Sequence, residues 1–273
     1  MPWSLGPPDG RYLLRAPGDP PDAEPAHVLV LATLGAPERR RLARGKRQAP
    51  AEPDPTPVTT GRATIIDVAS PFANEGEAGA WLQDAGEAQL EDDLEVLNRA
   101  LHYFRLVTAD PYLGPVGRHQ ALVARVGFGA GEQVADGLWS DARELRRSEG
   151  WRRRSKVLQP QARLAAVLNG RERVLVCEEL ALRARFDLDS GRPREAALQL
   201  LVALDAALAE LATDTAGPAL AERLTELRGQ RDAVAAAAQR ALAGEPSAEQ
   251  EQAVEFALGR IEAALRARML AEE

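Results

Sequence analysis

Residues 193–211 read PREAALQLLVALDAALAEL, and their leucines at 198, 201, 204, 208 and 211 advance by three or four positions. This spacing places the leucines on one stripe of an α-helix. Pro193 follows Gly191 and Arg192 directly, and proline is tolerated in the first turn of a helix. The stretch therefore predicts an amphipathic helix that begins at Pro193 and needs apolar neighbours.

Two similar stretches follow, each introduced by a glycine and a proline. Pro218 comes after Gly217, and Pro246 comes two residues after Gly244. The connections are short, so we expect antiparallel neighbours in a three-helix bundle over 191–273. Ser247 and Gln250 also have the spacing of a capping box at the third helix. The apolar stripes consist of Leu220, Leu224, Leu227, Val234 and Leu242, then Val254, Leu258, Ile261, Leu265 and Met269.

The turn before this bundle joins two stretches with helical patterns. Gly191-Arg192-Pro193 is followed by Glu195-Ala196-Ala197-Leu198. On these residues the stretch 181–211 resembles half of a tetratricopeptide repeat, which implies a helical hairpin. The resemblance covers about a tenth of the chain and the ~34-residue period is not repeated, so it assigns no family.

The N-terminal quarter has a different composition. Thirteen of the 19 prolines fall within residues 1–71, and proline disfavours helix interiors. The stretches 11–16, 27–34 and 62–69 have the pattern of strands, so we expect a small β element. The connection 35–61 combines a basic cluster with closely spaced prolines and is predicted to be a flexible loop. This cluster consists of Arg39, Arg40, Arg41, Arg44, Lys46 and Arg47.

Residues 72–190 are predicted to form a helical domain. Leu90, Leu94, Leu97, Leu101 and Phe104 lie on one helical stripe, and further helices are predicted over 130–147, 161–168 and 173–188. The predicted fold class is therefore mainly α (α+β). It has a helical body that ends in an antiparallel three-helix bundle, with a small N-terminal β element. We expect the bundle over 191–273 to pack with 72–190.

Composition excludes several classes of protein. There are 34 basic and 41 acidic residues, which gives a net charge of −7 and a pI near 5.3. Nucleic-acid-binding domains are usually strongly basic, so a general nucleic-acid coat is not expected. The longest apolar run, 28–34, is far shorter than the ~20 residues of a membrane span, and no secretory signal is predicted. A single cysteine and abundant alanine and arginine favour a bacterial cytoplasm.

A glycine-rich segment provides the first candidate site. Gly127, Gly129 and Gly131 follow an apolar stretch and precede a predicted helix, an order in which backbone amides can cradle phosphate. The spacing lacks the third glycine of the dinucleotide fingerprint and the lysine of a P-loop. A nucleotide-binding enzyme is therefore one alternative function.

A second basic cluster provides the candidate for binding nucleic acid or another anion. Arginine can fork onto phosphate oxygens, and a tryptophan can stack on a base. The competing interpretation is that these arginines pair with nearby carboxylates or form a solvated turn. The second basic cluster consists of Arg146, Arg147, Trp151, Arg152, Arg153, Arg154 and Lys156.

Structural roles are favoured for the cysteine, for the possible metal ligands and for the aromatic residues. Cys177 lies in an apolar helical segment and is expected to be buried. Four residues at helical spacing, Glu91, Glu95, Asn98 and His102, could offer metal ligands, but a solvated face is favoured. Core packing is the default for the aromatic residues in helical context, and any that prove exposed become interface candidates. These aromatic residues are Trp81, Trp139, Tyr103 and Phe104.

The functional prediction follows from long alanine-rich helices and the lack of a catalytic constellation in the sequence. We predict a non-enzymatic helical protein–protein interaction or scaffold protein, without a cofactor or metal, that binds a protein partner or self-associates. Two alternatives stay open. One is a nucleic-acid-binding regulator that uses residues 146–156, and the other is a nucleotide-binding enzyme that uses residues 127–131.

Overall fold

A computed structural model describes residues 5–16, 18–20, 22–35, 60–145, 160–213 and 218–271. The chain divides into two compact units, an N-terminal unit over 1–148 and a C-terminal unit over 149–273. Each unit is described by itself. The predicted segment boundaries at 71/72 and 190/191 stay predictions. Within the described ranges, no helix has the length and hydropathy needed to cross a membrane.

A three-stranded antiparallel sheet forms the N-terminal β element. Its strands are β1 (Gly10–Leu14), β2 (His27–Leu34) and β3 (Thr60–Asp67), in the order β1-β2-β3. Leu29 of β2 lies opposite Tyr12 on one side and Ile65 on the other. The three predicted strands are confirmed, with β1 and β3 shifted by one to two residues from the predicted bounds.

Two helices follow the sheet, α1 (Glu75–Asp84) and α2 (Glu87–Thr108). Asn74 caps α1, because its side chain accepts a hydrogen bond from the Glu77 N–H at 3.0 Å. Leu97 and Leu101 of α2 are buried with Leu29 and Leu31 of the sheet. This packing confirms the middle of the predicted α2 stripe.

The segment after α2 differs from the sequence prediction. A helix was predicted over 130–147, but the chain forms a β-hairpin of β4 (Arg125–Phe128) and β5 (Asp141–Glu144). Two short 3-10 helices, Arg118–Gln120 and Glu132–Asp136, precede and interrupt this hairpin. The helix prediction is wrong because Val126 of β4 packs against Leu82 and Ala85, a tertiary contact that local spacing does not reveal.

Five helices make up the described part of the C-terminal unit. They are α3 (Pro160–Leu168), α4 (Val176–Asp189), α5 (Pro193–Leu211), α6 (Pro218–Ala243) and α7 (Ala248–Ala271). Helix α5 packs against both α4 and α6, and α7 packs mainly against α6. The predicted fold class is confirmed, since the chain is dominated by helices and has a small N-terminal antiparallel sheet. Helix α4 adds a fourth member to the predicted three-helix bundle.

The core of the C-terminal unit is built largely from alanine. On α5, the buried residues include Ala196, Ala203 and Ala207 beside Leu200 and Leu204. Small side chains allow helix axes to approach closely, so the buried stripe is rotated from the stripe of leucines. Two members of the predicted stripes, Leu198 and Leu242, are consequently exposed.

Candidate interaction surfaces

The predicted glycine site has a structural explanation within the β4–β5 hairpin. A Cβ atom on Gly127 would lie 2.6 Å from the Asp141 carbonyl oxygen, and one on Gly129 would lie 2.8 Å from Val134 Cγ2. Gly131 has φ +71°, a conformation that favours glycine. The helix that follows is a 3-10 helix of five residues. Tight packing therefore accounts for Gly127 and Gly129, the positive φ accounts for Gly131, and nucleotide binding stays a prediction.

Both basic clusters lie outside the described residues. This applies to the first cluster within the predicted flexible loop 35–61 and to the whole second cluster. Their predicted roles in binding nucleic acid or another anion therefore stay predictions. The second cluster comprises Arg146, Arg147, Trp151, Arg152, Arg153, Arg154 and Lys156.

Asn98, on the polar face of α2, holds the segment that follows the helix. The Asn98 side chain donates Nδ2–H to the Val116 carbonyl at 3.0 Å and accepts the Val116 N–H at 2.7 Å. This pair of hydrogen bonds fixes the extended segment after α2 against the helix. No group of three or more His, Cys, Asp or Glu side chains that could hold a metal occurs among the described residues.

Cys177 is buried near the start of α4, as the sequence predicts. The Glu210 carboxylate of α5 accepts the backbone N–H groups of Val176 at 3.0 Å and Cys177 at 2.9 Å. Burial and the Glu210 carboxylate raise the pKa of the Cys177 thiol to about 12. The thiol is therefore protonated at neutral pH, a state in which it is a poor nucleophile.

Four large apolar side chains are exposed on the outer side of the α4–α5 hairpin, and we call the area that carries them the hairpin face. It consists of Leu182 and Phe186 on α4 with Leu198 and Val202 on α5, all exposed. Each pair is spaced by four residues and therefore shares one side of its helix. Helical spacing places both pairs opposite the buried stripes of α4 and α5. The hairpin face is thus a surface that the fold of the C-terminal unit does not cover.

The turn of the same hairpin is held rigidly. Gly191 has φ +65°, and the Arg192 guanidinium pairs with the Asp187 carboxylate at 2.6 Å. Both charged side chains are largely buried. The guanidinium also lies 4.9 Å from the centroid of the Phe186 ring. These contacts fix Phe186 at one end of the hairpin face.

A second apolar surface lies at the C-terminal end of α2, and we call it the α2 tip. Tyr103 is 58% exposed, Leu106 61%, Val107 85% and Tyr112 94%. The default expectation that Tyr103 packs in the core is therefore wrong. Leu101 is the last residue of α2 that is buried with the sheet, so the last two turns of the helix present Tyr103, Leu106 and Val107 to solvent, and Tyr112 follows in the turn after the helix.

The chain turns sharply at the α2 tip. Ala109 ends the helix with φ +52°, and it is the only residue other than glycine with positive φ among those described. The Asp110 N–H donates to the Arg105 carbonyl at 3.1 Å, and the Asp110 side chain accepts the Tyr112 N–H at 2.9 Å. A left-handed alanine costs about 1 kcal/mol, which these hydrogen bonds offset. The turn holds the Tyr112 backbone in a defined place after the helix.

The two candidate surfaces were only partly predictable from the sequence. The rule that exposed aromatic residues become interface candidates identifies Tyr103, whereas Tyr112 and the hairpin face gave no separate signal. Periodicity finds one apolar stripe per helix and does not show which large residues lie outside it. Comparison of this chain with protein-family models, curated proteins and solved structures gave no match.

Proposed function

We propose that this chain is a helical protein–protein interaction or scaffold protein of the cytosol. The observation that carries the proposal is the hairpin face, where four large apolar side chains remain exposed on two packed helices. Exposed apolar residues are ordinary when scattered singly, whereas a grouped set on a rigid element is typical of binding surfaces. The partner surface we propose is the apolar side of an amphipathic helix.

The spacing on the hairpin face supports a helical partner. Leu182 and Phe186 form one ridge, and Leu198 and Val202 form a second ridge on the neighbouring helix. A helix laid along two antiparallel helices would place its apolar residues at positions i, i+3, i+4 and i+7 against such ridges. Exposed Glu179 pairs with Arg183 at 2.8 Å beside the first ridge. These two charges neutralise each other, so neither would be left unpaired next to the apolar stripe of a partner helix.

Charged contacts join α4 to α3 and to α7. On α3, Arg163 pairs with Glu172 and with Glu178 of α4, each at 2.7 Å. Arg268 of α7 lies 3.6 Å from Glu178, and Arg185 of α4 pairs with Glu262 of α7 at 2.9 Å. A rigid support reduces the entropy lost on binding and therefore favours recognition through a surface of fixed shape.

The proposal is tested by capture of partners from the source cytosol on the immobilised full chain, with and without nuclease. The informative variant is Leu182→Arg, and the matched control is Leu242→Arg, because the two leucines are 67% and 65% exposed. We expect one protein to be captured in a stoichiometric amount, and its capture to persist after nuclease treatment. The control Leu242→Arg should retain this protein, whereas Leu182→Arg should not. The purified partner should then bind Leu182→Arg at least about tenfold more weakly than the wild type.

Two other outcomes would contradict the proposal in favour of the alternatives. Retention that disappears with nuclease would favour the nucleic-acid-binding regulator that uses residues 146–156. A nucleotide that raises the melting temperature of the wild type would favour the nucleotide-binding enzyme. Equal partner binding by Leu182→Arg and the wild type would exclude the hairpin face as the contact surface.

A further inference from the structure

We infer that α3 is a releasable helix whose position is set by competition between two arginines, Arg163 and Arg268, for the Glu178 carboxylate. Arg163 holds α3 on the C-terminal unit in the docked state, and Arg268 takes over Glu178 when α3 leaves. The inference goes beyond the proposed function, because it concerns a movement of α3 and not the hairpin face.

Helix α3 is held by little apolar packing. None of its side chains that the structure describes is buried, and none belongs to the apolar core of α4 to α7. Leu164 and Leu168, its two leucines, are both exposed. The helix has nine residues, and isolated helices shorter than ~12 residues are marginal in water. Its docked position therefore depends on contacts other than burial in the core.

The Arg163 guanidinium joins α3 to the turn that follows it and to α4. Its Nε donates to Glu172 Oε1 at 2.7 Å, and its Nη2 donates to Glu178 Oε2 at 2.7 Å. Glu172 and Glu178 are both largely buried. Hydrogen bonds between charged groups are stronger than neutral ones, and partial burial limits their screening by salt. These two bonds are thus the main hold on α3.

A second arginine is placed to replace Arg163 at Glu178. Arg268 Nη1 on α7 lies 3.6 Å from Glu178 Oε1, an ion-pair distance that is longer than a hydrogen bond. Both side chains are largely buried. Leaving a buried carboxylate without a cation is costly, but Arg268 stays beside Glu178 when Arg163 leaves. Glu178 therefore has a cationic partner in both positions of α3.

The turn between α3 and α4 provides the hinge. Residues 169–171, 173 and 174 are exposed, and no described atom beyond the chain neighbours lies within 4 Å of a Cβ position on Gly170. A few loop residues of this kind can absorb a change in helix direction. Leu175 packs on the core, and Arg185 of α4 pairs with Glu262 of α7 at 2.9 Å. Helix α3 can therefore move while α4 and the hairpin face stay in place.

Hydrogen exchange of the full chain, followed by mass spectrometry, tests the inference. We expect Arg163→Gln to speed exchange of the amides of residues 164–172 at least about tenfold, because hydrogen bonds to charged groups contribute this much or more. The amides of α5 should exchange as in the wild type, since that helix is held by the core. Arg183→Gln is the matched control, because the exposed pair of Arg183 with Glu179 lies within α4 and joins no two helices.

Two further measurements test the competition between the arginines. In Arg268→Gln, release of α3 would leave Glu178 unpaired, so the amides of α3 should exchange more slowly than in the wild type. In the wild type, raising the salt from about 0.05 M to about 1 M should speed exchange of α3, because salt screens charged pairs. The same salt change should have little effect on α3 in Arg163→Gln.

Four results would overturn the inference. They are an α3 without protection in the wild type, wild-type exchange of α3 in Arg163→Gln, equal acceleration of α3 and α5 in that variant, and wild-type exchange of α3 that does not change with salt. Faster exchange of α3 in Arg268→Gln, with α5 unchanged, would refute the role of Arg268. Leu182→Arg should leave the exchange of α3 unchanged, so failure at α3 is distinguishable from failure at the hairpin face.

Discussion

Asp93 on α2 provides a direct test of how the N-terminal unit is packed. The pKa of its carboxyl is raised from 3.8 to about 6, mainly by burial and to a smaller extent by the negative charges of Asp92 and Asp67, while a hydrogen bond from Gln89 opposes the change. The folded state therefore holds the proton more tightly than the unfolded state does. Ionised Asp93 destabilises the N-terminal unit above about pH 6, and this cost fades as the pH falls from about 6 to below 4.

The expected change in the free energy of unfolding follows from the pKa change. A rise of about two units corresponds to roughly 3 kcal/mol, since one unit is worth ~1.4 kcal/mol. Asp93 is only partly buried, so solvent screening reduces this to about 1–2 kcal/mol. Asp93→Asn removes the charge and keeps the shape. It should therefore raise the free energy of unfolding by about 1–2 kcal/mol at pH 7.5 and by only a few tenths at pH 4.

The assay is urea unfolding followed by tryptophan fluorescence at both pH values, because Trp81 packs on the core of α1 and the β4–β5 hairpin. Glu91→Gln is the control, since Glu91 is an exposed acid on the same helix and should change stability by less than about 0.5 kcal/mol. An equal increase in the free energy of unfolding of Asp93→Asn at pH 4 and pH 7.5 would refute the reasoning, and so would a decrease at pH 7.5.

Three further predictions test the described contacts. The Cys177 thiol should resist a disulfide reagent at pH 8 until the chain unfolds, because burial and Glu210 hold its pKa near 12; reaction at the rate of a free thiol would contradict its burial. Ala109→Gly should raise the free energy of unfolding by about 1 kcal/mol in a urea titration, and a decrease would argue against the left-handed cap. Ser247→Ala should lower the free energy of unfolding by about 1 kcal/mol through loss of the capping box, whereas no change in the urea midpoint would show that the cap is not formed.

Helix boundaries in the C-terminal unit were predictable because their signals act within one turn. Helices α5 and α6 begin at Pro193 and Pro218, as the sequence indicates. Helix α7 begins at Ala248, two residues after Pro246. The Ser247 N–H donates to Gln250 Oε1 at 3.0 Å, and the Gln250 N–H donates to Ser247 Oγ at 3.3 Å. The capping box is therefore confirmed, and the predicted start at Pro246 is wrong by two residues.

Features that depend on distant residues were not predictable. In the β4–β5 hairpin, Arg125 lies opposite Glu144 in the strand register, and Val126 packs against Leu82 and Ala85 at the end of α1. The N-terminus of α4 has no capping side chain at Leu175, and Glu210 supplies the acceptor from 34 residues further along the chain. Local patterns report propensity, whereas these contacts depend on which segments meet in space.

The alanine core also explains why large side chains reach the surface at the hairpin face. Larger residues in place of Ala196 and Ala203 would force the helices apart, so close packing fixes which side of α5 is buried. Leu198 and Val202 lie on the opposite side, where a polar residue would cost the core nothing. Leu182 and Phe186 on α4 repeat the same arrangement, and Leu182 at 67% and Val202 at 56% exposure leave most of their surface in solvent. The fold does not account for this paired pattern, whereas the contact that we propose with the apolar stripe of a partner helix would account for it.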